Sequence, residues 1–168
     1  MIDRNFDIVN YGIGGGIESK DTSRAKQYML QFFRRIRTVI NNVEIMFKTE
    51  HRVYCPPELL RPLWSRYQID VAVIFPGYEK FNIGIEIDGE VGHKHKLIDE
   101  YRDQYIYQTH EIPVFRLALD WIKGWMKKFD YLSTLEELIH QHRAFKHSKL
   151  PKSPLLHLAM KNRGNLFN

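Results

Sequence analysis

The chain has little that would suit it to secretion or to a membrane. Cys55 is its single cysteine, so an intrachain disulfide is excluded and the cysteine content does not point to an oxidising compartment. No stretch approaches the run of roughly 18 apolar residues that a membrane span needs, and the first residues carry acids without an apolar signal segment. We therefore expect an intracellular, cytoplasmic protein with no membrane partner.

The composition is that of a folded domain with an excess of positive charge. Hydrophobic residues make up 43% of the 168 residues and aromatic residues 13%, which predicts one globular domain over residues 1–168. We expect its core at about 20–120 and a helical, basic C-terminal extension over 121–168. Lys and Arg number 25 against 20 Asp and Glu, and the net charge of +5 favours a polyanionic partner such as DNA.

Hydrophobic periodicity predicts an α/β protein with a mixed sheet flanked by helices. A helix with a polar cap is expected first, and a Pro–Gly connection of five residues, PGYEK, joins the second and third strands as a hairpin. The predicted elements in chain order are a helix over 21–40, strands near 43–54, 67–75 and 81–89, a helix to about 110, a strand over 111–119, one or two closing helices, and a basic tail from about 147.

The hairpin carries the most informative pattern in the chain. Alternation predicts that one face of its second strand is core and that the other is acidic: Phe81, Ile83, Ile85 and Ile87 against Asn82, Gly84, Glu86 and Asp88. If Phe75 lies opposite Phe81, Asp70 lies directly across from Glu86. Two opposed buried carboxylates destabilise a sheet unless one is protonated or a cation lies between them.

A divalent cation of the Mg²⁺ or Mn²⁺ type would suit these oxygen ligands and would support phosphodiester hydrolysis. The alternative is that Asp70 and Glu86 are strand-end carboxylates satisfied by neighbouring Arg or Lys side chains. Spacing alone does not separate the two interpretations.

Asp70 in IDVAV, followed by Glu86 in IGIEIDG, resembles the bipartite D…(D/E)-x-K site of the PD-(D/E)XK nuclease superfamily, over about residues 43–120. The chain is most similar to the branch related to very-short-patch-repair endonucleases. That branch typically shows E-(I/V/L)-D-G, a nearby His, D-x-x-R on a helix, and a strand ending in V-x-R. The corresponding pieces here are Glu86-Ile87-Asp88-Gly89, His93 or His95, Asp99 to Arg102, and Val114-Phe115-Arg116.

The resemblance implies a restriction-endonuclease-like αβββαβ core and a metal held by Asp70, Glu86, Asp88 and the carbonyl of Ile87. Asp88 stands where the superfamily usually has a lysine, so another group must orient or deprotonate the attacking water. The candidates are His93, Lys94, His95 and Lys96, and the pKa range of histidine favours His93 or His95.

The resemblance also implies a phosphate-binding role for Arg102, with Asp99 orienting it; the alternative is a solvated ion pair between these two residues. Lys94, Lys96 and Arg116 are further candidates for contacts with nucleic acid. A glutamate from the first helix often joins such sites, but Glu18 and Glu44 more plausibly cap or remain solvated.

Other conspicuous residues are assigned structural roles. The glycines of residues 12–16 form neither nucleotide-binding glycine motif and are expected to be a flexible entry loop. Three histidines fit no common zinc spacing and are expected at the surface, namely His140, His142 and His147. Three tryptophans are expected in packing, namely Trp64, Trp121 and Trp125.

The sequence thus favours a Mg²⁺-dependent endonuclease that hydrolyses DNA phosphodiester bonds. Two alternatives stay open. The first is a catalytically silent nucleic-acid-binding module, and the second is a nuclease subunit of a homing, restriction or transposition system, with homo-oligomer formation left open.

Overall fold

The computed structural model describes residues 19–57, 66–89, 96–144 and 153–167, and within these the side chains of 96–98 and 143–144 are not described. The elements in chain order are α1 (Lys20–Ile36), a 3₁₀ turn (Arg37–Val39), β1 (Met46–Val53), β2 (Tyr67–Ile74), a 3₁₀ turn (Glu79–Phe81), β3 (Ile83–Asp88), α2 (Lys96–His110), β4 (Val114–Ala118), α3 (Leu119–Lys128), α4 (Tyr131–Ala144), α5 (Pro154–Lys161) and α6 (Arg163–Leu166).

The described strands form one mixed sheet in the order β1-β2-β3-β4. The first two pairings are antiparallel, and β4 runs parallel to β3, which is possible because α2 carries the chain back between them. The predicted α/β class, the flanking helices and the succession of helix, three strands, helix, strand and helices are confirmed.

The first helix begins where its sequence predicts and ends earlier. Ser19 caps it, since its hydroxyl accepts a hydrogen bond from the Thr22 N–H at 3.1 Å. The α-helix ends at Ile36 rather than near residue 40, because the chain tightens into a 3₁₀ turn and then reaches Asn42, whose φ of 61° lies in the left-handed region.

The sheet has a separate apolar core on each face. The larger core contains α1 and the C-terminal helices α3 to α6 with Val71, Val73, Ile83 and Ile85 of the sheet. The smaller core lies under α2, where Ile106 packs with residues of the other sheet face, among them Val53, Tyr67, Ile69 and Val114. The sheet is therefore covered on both faces, as its nearly continuous apolar strands require.

The hairpin has the register on which the carboxylate prediction depended. Val71 pairs with Ile85 and Val73 with Ile83, and the rings of Phe75 and Phe81 lie 5.6 Å apart between centroids. In this register the residue across from Asp70 is Glu86. The predicted isoleucine face is confirmed too, since Ile83 and Ile85 are fully buried in the larger core.

The C-terminal extension is helical as expected, but three finer expectations about it are wrong. The segment expected to be a basic tail forms α5 and α6, and Leu155 and Leu156 enter the larger core. His142 is not a surface residue: it is 9% exposed, and its Nδ1 accepts a hydrogen bond from the Ser153 N–H. Trp121 is 48% exposed and is therefore not a core residue, whereas Trp125 packs against the larger core as expected. The lysines of this segment made the helical spacing of its apolar residues difficult to recognise in the sequence.

None of the helices in the described ranges is long and apolar enough to cross a membrane.

Gly84 of β3 is the position where the sheet tolerates least added volume. A Cβ atom there would lie 3.1 Å from Cγ2 of Ile69 and 3.1 Å from Cγ2 of Ile112, on two sides of the strand. We expect Gly84→Ala to lower the free energy of unfolding by about 1–3 kcal/mol, because neither methyl can retreat from a packed core. Urea denaturation of the wild type and of Gly84→Ala measures the difference in their free energies of unfolding.

Gly124→Ala in α3 is the matched control, since a Cβ there meets no atom within 4 Å. It should leave stability unchanged or raise it by up to about 1 kcal/mol, because alanine favours a helix. Equal stability of the two variants would contradict the packing argument.

Candidate active site

The ladder between β2 and β3 ends where the two strands diverge, and two carboxylates bridge the gap. The paired residues extend to Val71 and Ile85. Beyond them, the Ile87 N–H donates to Asp70 Oδ2 at 2.8 Å and the Asp70 N–H donates to Glu86 Oε2 at 2.9 Å. Each acidic side chain therefore accepts a main-chain hydrogen bond from the other strand, so both point into the same gap.

An irregularity in the edge strand accompanies this divergence. Glu50 of β1 has a φ of 53° and is not paired with a residue of β2. Its neighbours Thr49 and His51 are both paired with β2 in a constant register. On β2, Ile69 packs in the smaller core and Val71 in the larger one, although residues two apart normally share a face. The side chains of β2 therefore change faces at Asp70. The Asp70 N–H is directed towards β3, where it donates to Glu86.

Glu86 is a buried acid. It is 7% exposed, and burial raises the pKa of its carboxyl to about 7, against the hydrogen bond from the Asp70 N–H and the positive charges of Arg116 and Arg102. A carboxyl with a pKa near neutrality can exchange a proton or accept a cation under physiological conditions. Glu86 is therefore in a buried environment, in which two opposed carboxylates require a proton or a cation between them.

Lys26 of α1 stands beside Asp70 and was not identified from the sequence. Its side chain is 6% exposed, and Nζ lies 3.7 Å from Asp70 Oδ1 and 3.6 Å from Glu50 Oε2. A sequence signal existed: Lys26 precedes Met29, Leu30 and Phe33 at the spacings that share a helix face, and all three are buried. A lysine on an apolar helix face requires a partner inside the protein.

Asp88 and Arg116 belong to a second ionic group on the α2 side. Arg116 of β4 forms two hydrogen bonds of 3.0 Å with Asp103, and its Nη1 lies 3.3 Å from Asp88 Oδ1 and 4.0 Å from Asp99 Oδ2. Burial raises the pKa of Asp103, and the Arg116 guanidinium opposes the shift. Asp103 was missed because nothing in its spacing distinguishes it from a solvated helix residue.

Arg102 is enclosed rather than solvated. It is 7% exposed, its guanidinium carbon lies 3.9 Å from the centroid of the Tyr67 ring, and it donates to Asp99 and to the Tyr67 hydroxyl. The Asp99–Arg102 pair exists as the spacing indicated, but it is part-buried rather than solvated. Nε of Arg102 is the buried side-chain nitrogen without a hydrogen-bond partner in the described ranges.

Several predicted site residues fall outside what the structure describes. His93, Lys94 and His95 lie outside the described residues, and so does Glu18. Lys96 is the first residue of α2, but its side chain is not described. Glu44 is exposed ahead of β1. The choice of a general base among the histidines and lysines therefore stays a prediction.

The carboxylates at the gap can be compared with the oxygen ligands that a hard divalent cation requires. In the described part of the chain, no three His, Cys, Asp or Glu side chains gather closely enough to hold a metal ion. Mg²⁺ commonly uses one or two carboxylates and retains waters for its other positions. Asp70 and Glu86, which meet in one gap, satisfy that smaller requirement, whereas Asp88 is engaged by Arg116.

Comparison with protein-family models, with curated proteins and with solved structures finds no match for this chain. The assignment of a function therefore depends on the residues and geometry described above.

The burial of Glu86 predicts a pH-dependent stability. Because its pKa rises from an ordinary 4.5 to about 7 on folding, the folded chain binds the proton more tightly, and the stability it contributes falls as the pH rises from about 4.5 to about 7. Glu86→Gln retains an acceptor for the Asp70 N–H without the charge. In EDTA it should be more stable than the wild type at pH 8, by about 3 kcal/mol, with little difference at pH 4.5.

Urea denaturation of both proteins at several pH values measures this difference, and Glu136→Gln, at an exposed position on α4, is the control. A stability difference between Glu86→Gln and the wild type that does not change with pH would contradict the burial argument.

Proposed function

We propose that the protein is a metal-dependent endonuclease that hydrolyses DNA phosphodiester bonds. The observation that carries the proposal is the meeting of Asp70 and Glu86 from adjacent strands in one gap, each accepting the other strand's N–H at 2.8–2.9 Å. A purely structural pair would not need an acid whose burial raises its pKa to about 7. Locally unfavourable burial of this kind is typical of functional sites.

The chain topology supports a restriction-endonuclease-like core within the proposal. A helix precedes three antiparallel strands, and a second helix leads into a strand that pairs in parallel with the third. That is the αβββαβ succession implied by the resemblance. Asp70 and Glu86 lie on its second and third strands, where the resemblance implies the acids should be.

Asp70, Glu86 and the carbonyl of Ile87 would hold the cation, which we take to be Mg²⁺ or Mn²⁺. When bound, such an ion lowers the pKa of a coordinated water and neutralises charge on the phosphate. The chain's own contribution is to hold both carboxylates in place through main-chain N–H groups. These hydrogen bonds orient the side chains before a ligand arrives.

The positive side chains around the gap act as positioning residues in this proposal. Lys26 holds the Asp70 carboxylate from the α1 side, with Nζ 3.7 Å from Oδ1. Arg116 holds Asp88 and Asp103 on the α2 side, and Arg102 holds Asp99. Direct contacts of Arg102, Arg116, Lys94 and Lys96 with DNA, and roles of His93 or His95 with the attacking water, stay predictions.

Cleavage of supercoiled plasmid provides the direct test of the proposed function. We expect the wild type to nick plasmid in Mg²⁺ or Mn²⁺ and to be inactive in EDTA. Asp70→Asn and Glu86→Gln should each reduce the rate by at least about 100-fold, because each removes a charge on which the metal depends. Agarose gel electrophoresis over a time course measures the rate.

Glu136→Gln removes an exposed carboxylate on α4 and should cleave like the wild type. Cleavage that persists undiminished in both Asp70→Asn and Glu86→Gln would refute the assignment. Binding of DNA without cleavage in either metal would instead favour a silent nucleic-acid-binding module.

Lys26 gives a further prediction that does not depend on cleavage alone. Its ammonium repels a cation at Asp70, so Lys26→Met should bind Mn²⁺ more tightly, by roughly ten-fold, while it nicks plasmid more slowly. Isothermal titration calorimetry measures the affinity, and Lys26→Arg should retain the affinity of the wild type. A purely structural lysine would leave Mn²⁺ affinity unchanged in both variants.

A further inference from the structure

A groove of about 370 Å³ lies on the sheet, and none of the described residues that line it belongs to the candidate active site. We call it the basic groove; it is lined by His51, Arg52, Val53, Tyr54, Arg66, Ile74, Glu79, Asn82, His110 and Ile112. Val53 and Ile112 belong to the smaller core, so the groove lies on the face of the sheet that α2 covers.

The described lining of the basic groove carries a small excess of positive charge, because it has two arginines and one glutamate. Arg52 and Arg66 are exposed guanidinium groups, and His51 and His110 add imidazoles, although burial lowers the pKa of His51 and favours its neutral form. Glu79 is the one carboxylate among the described lining residues, and its Oε2 already accepts a hydrogen bond from the Gly77 N–H at 2.8 Å. A recess with this composition attracts a chain of negative charges.

Tyr54 adds an aromatic surface to the basic groove. Its side chain is 51% exposed, and its main-chain carbonyl is 2.8 Å from His110 Nε2, which fixes the chain at that point. A half-exposed ring among arginines is the combination that single-stranded nucleic acid uses, because an unpaired base can stack on the ring while its phosphates contact the cations. A base paired within a duplex has no free face to offer.

The basic groove lies near the strand that carries Asp70. Its described lining includes Arg66, which precedes β2, and Ile74, which ends β2. A volume of about 370 Å³ is that of a small-molecule pocket, so the groove can take an unpaired base with its adjacent phosphates rather than several nucleotides. His51, in this lining, pairs with Ile69, the residue next to Asp70.

We propose that the basic groove binds a single-stranded segment of DNA and leads it past the Asp70–Glu86 site. The substrate would then be a DNA with an unpaired stretch, such as a flap, overhang or branch. The destination of the strand rests on the proposed nuclease function, whereas binding in the groove does not.

Fluorescence anisotropy in EDTA tests the proposal without any cleavage. A labelled 20-nucleotide single strand and the corresponding blunt duplex are titrated with the full chain at several salt concentrations. We expect tighter binding of the single strand. Arg52→Ala with Arg66→Ala should weaken it by at least about ten-fold and reduce the slope of log K against log salt by about 1.4, or 0.7 per lost phosphate contact.

Tyr54→Ala should weaken binding of the single strand by about five-fold or more, and Tyr54→Phe should retain it, because the ring provides the stacking surface. Lys127→Ala with Lys128→Ala is the matched control: it removes the same charge from exposed positions of α3, on the opposite side of the sheet. This control should bind like the wild type. Circular dichroism verifies that each variant is folded.

Three results would overturn the proposal: tighter binding of the duplex, an equal effect of the control pair, or unchanged affinity in both the arginine and tyrosine variants. These results are distinguishable from failure of the proposed function. A wild type that binds the single strand through this groove but never cleaves leaves the groove intact and refutes the nuclease. Cleavage by the wild type that is unaffected by the groove variants leaves the nuclease intact and refutes the passage of the strand from the groove to the Asp70–Glu86 site.

Discussion

The architecture of the site depends on two acidic side chains that take the place of main-chain partners. Where β2 and β3 separate, the Asp70 and Ile87 N–H groups would be unsatisfied, and buried main-chain donors without partners are strongly destabilising. The carboxylates of Glu86 and Asp70 accept these hydrogen bonds. The same hydrogen bonds that satisfy the backbone also hold two negative groups close together, so the fold and the candidate chemistry depend on one arrangement.

Positive side chains on both sides of the gap compensate for part of that concentration of negative charge. Lys26 approaches Asp70 from the α1 side, and Arg116 and Arg102 approach from the β4 and α2 side. The compensation is incomplete at Glu86, where burial still raises the pKa to about 7. A bound cation would complete it, because the charge of the carboxylate would then be matched within the gap. Under the proposed function, the basic groove would hold a polyanionic strand whose continuation reaches this site.

Much of the fold was accessible from residue patterns alone. The strands were recognised because β-branched and aromatic residues alternate, and the hairpin register followed from matching Phe75 with Phe81. The C-terminal helices were less accessible, because the spacing of Leu155, Leu156 and Ala159 becomes informative only when a core is available to receive them. The burial of His142 likewise depends on Ser153, which follows it by eleven positions in the chain.

For the site, the sequence by itself determined which acids face each other, because strand alternation and a single register relate Asp70 to Glu86. Tertiary structure alone decided what surrounds them. Lys26 reaches Asp70 only because α1 packs across the sheet, and Asp103 meets Arg116 only because α2 returns the chain to pair β4 with β3. Periodicity reports contacts within an element or between neighbouring strands, whereas these charges come from distant elements that only packing brings together.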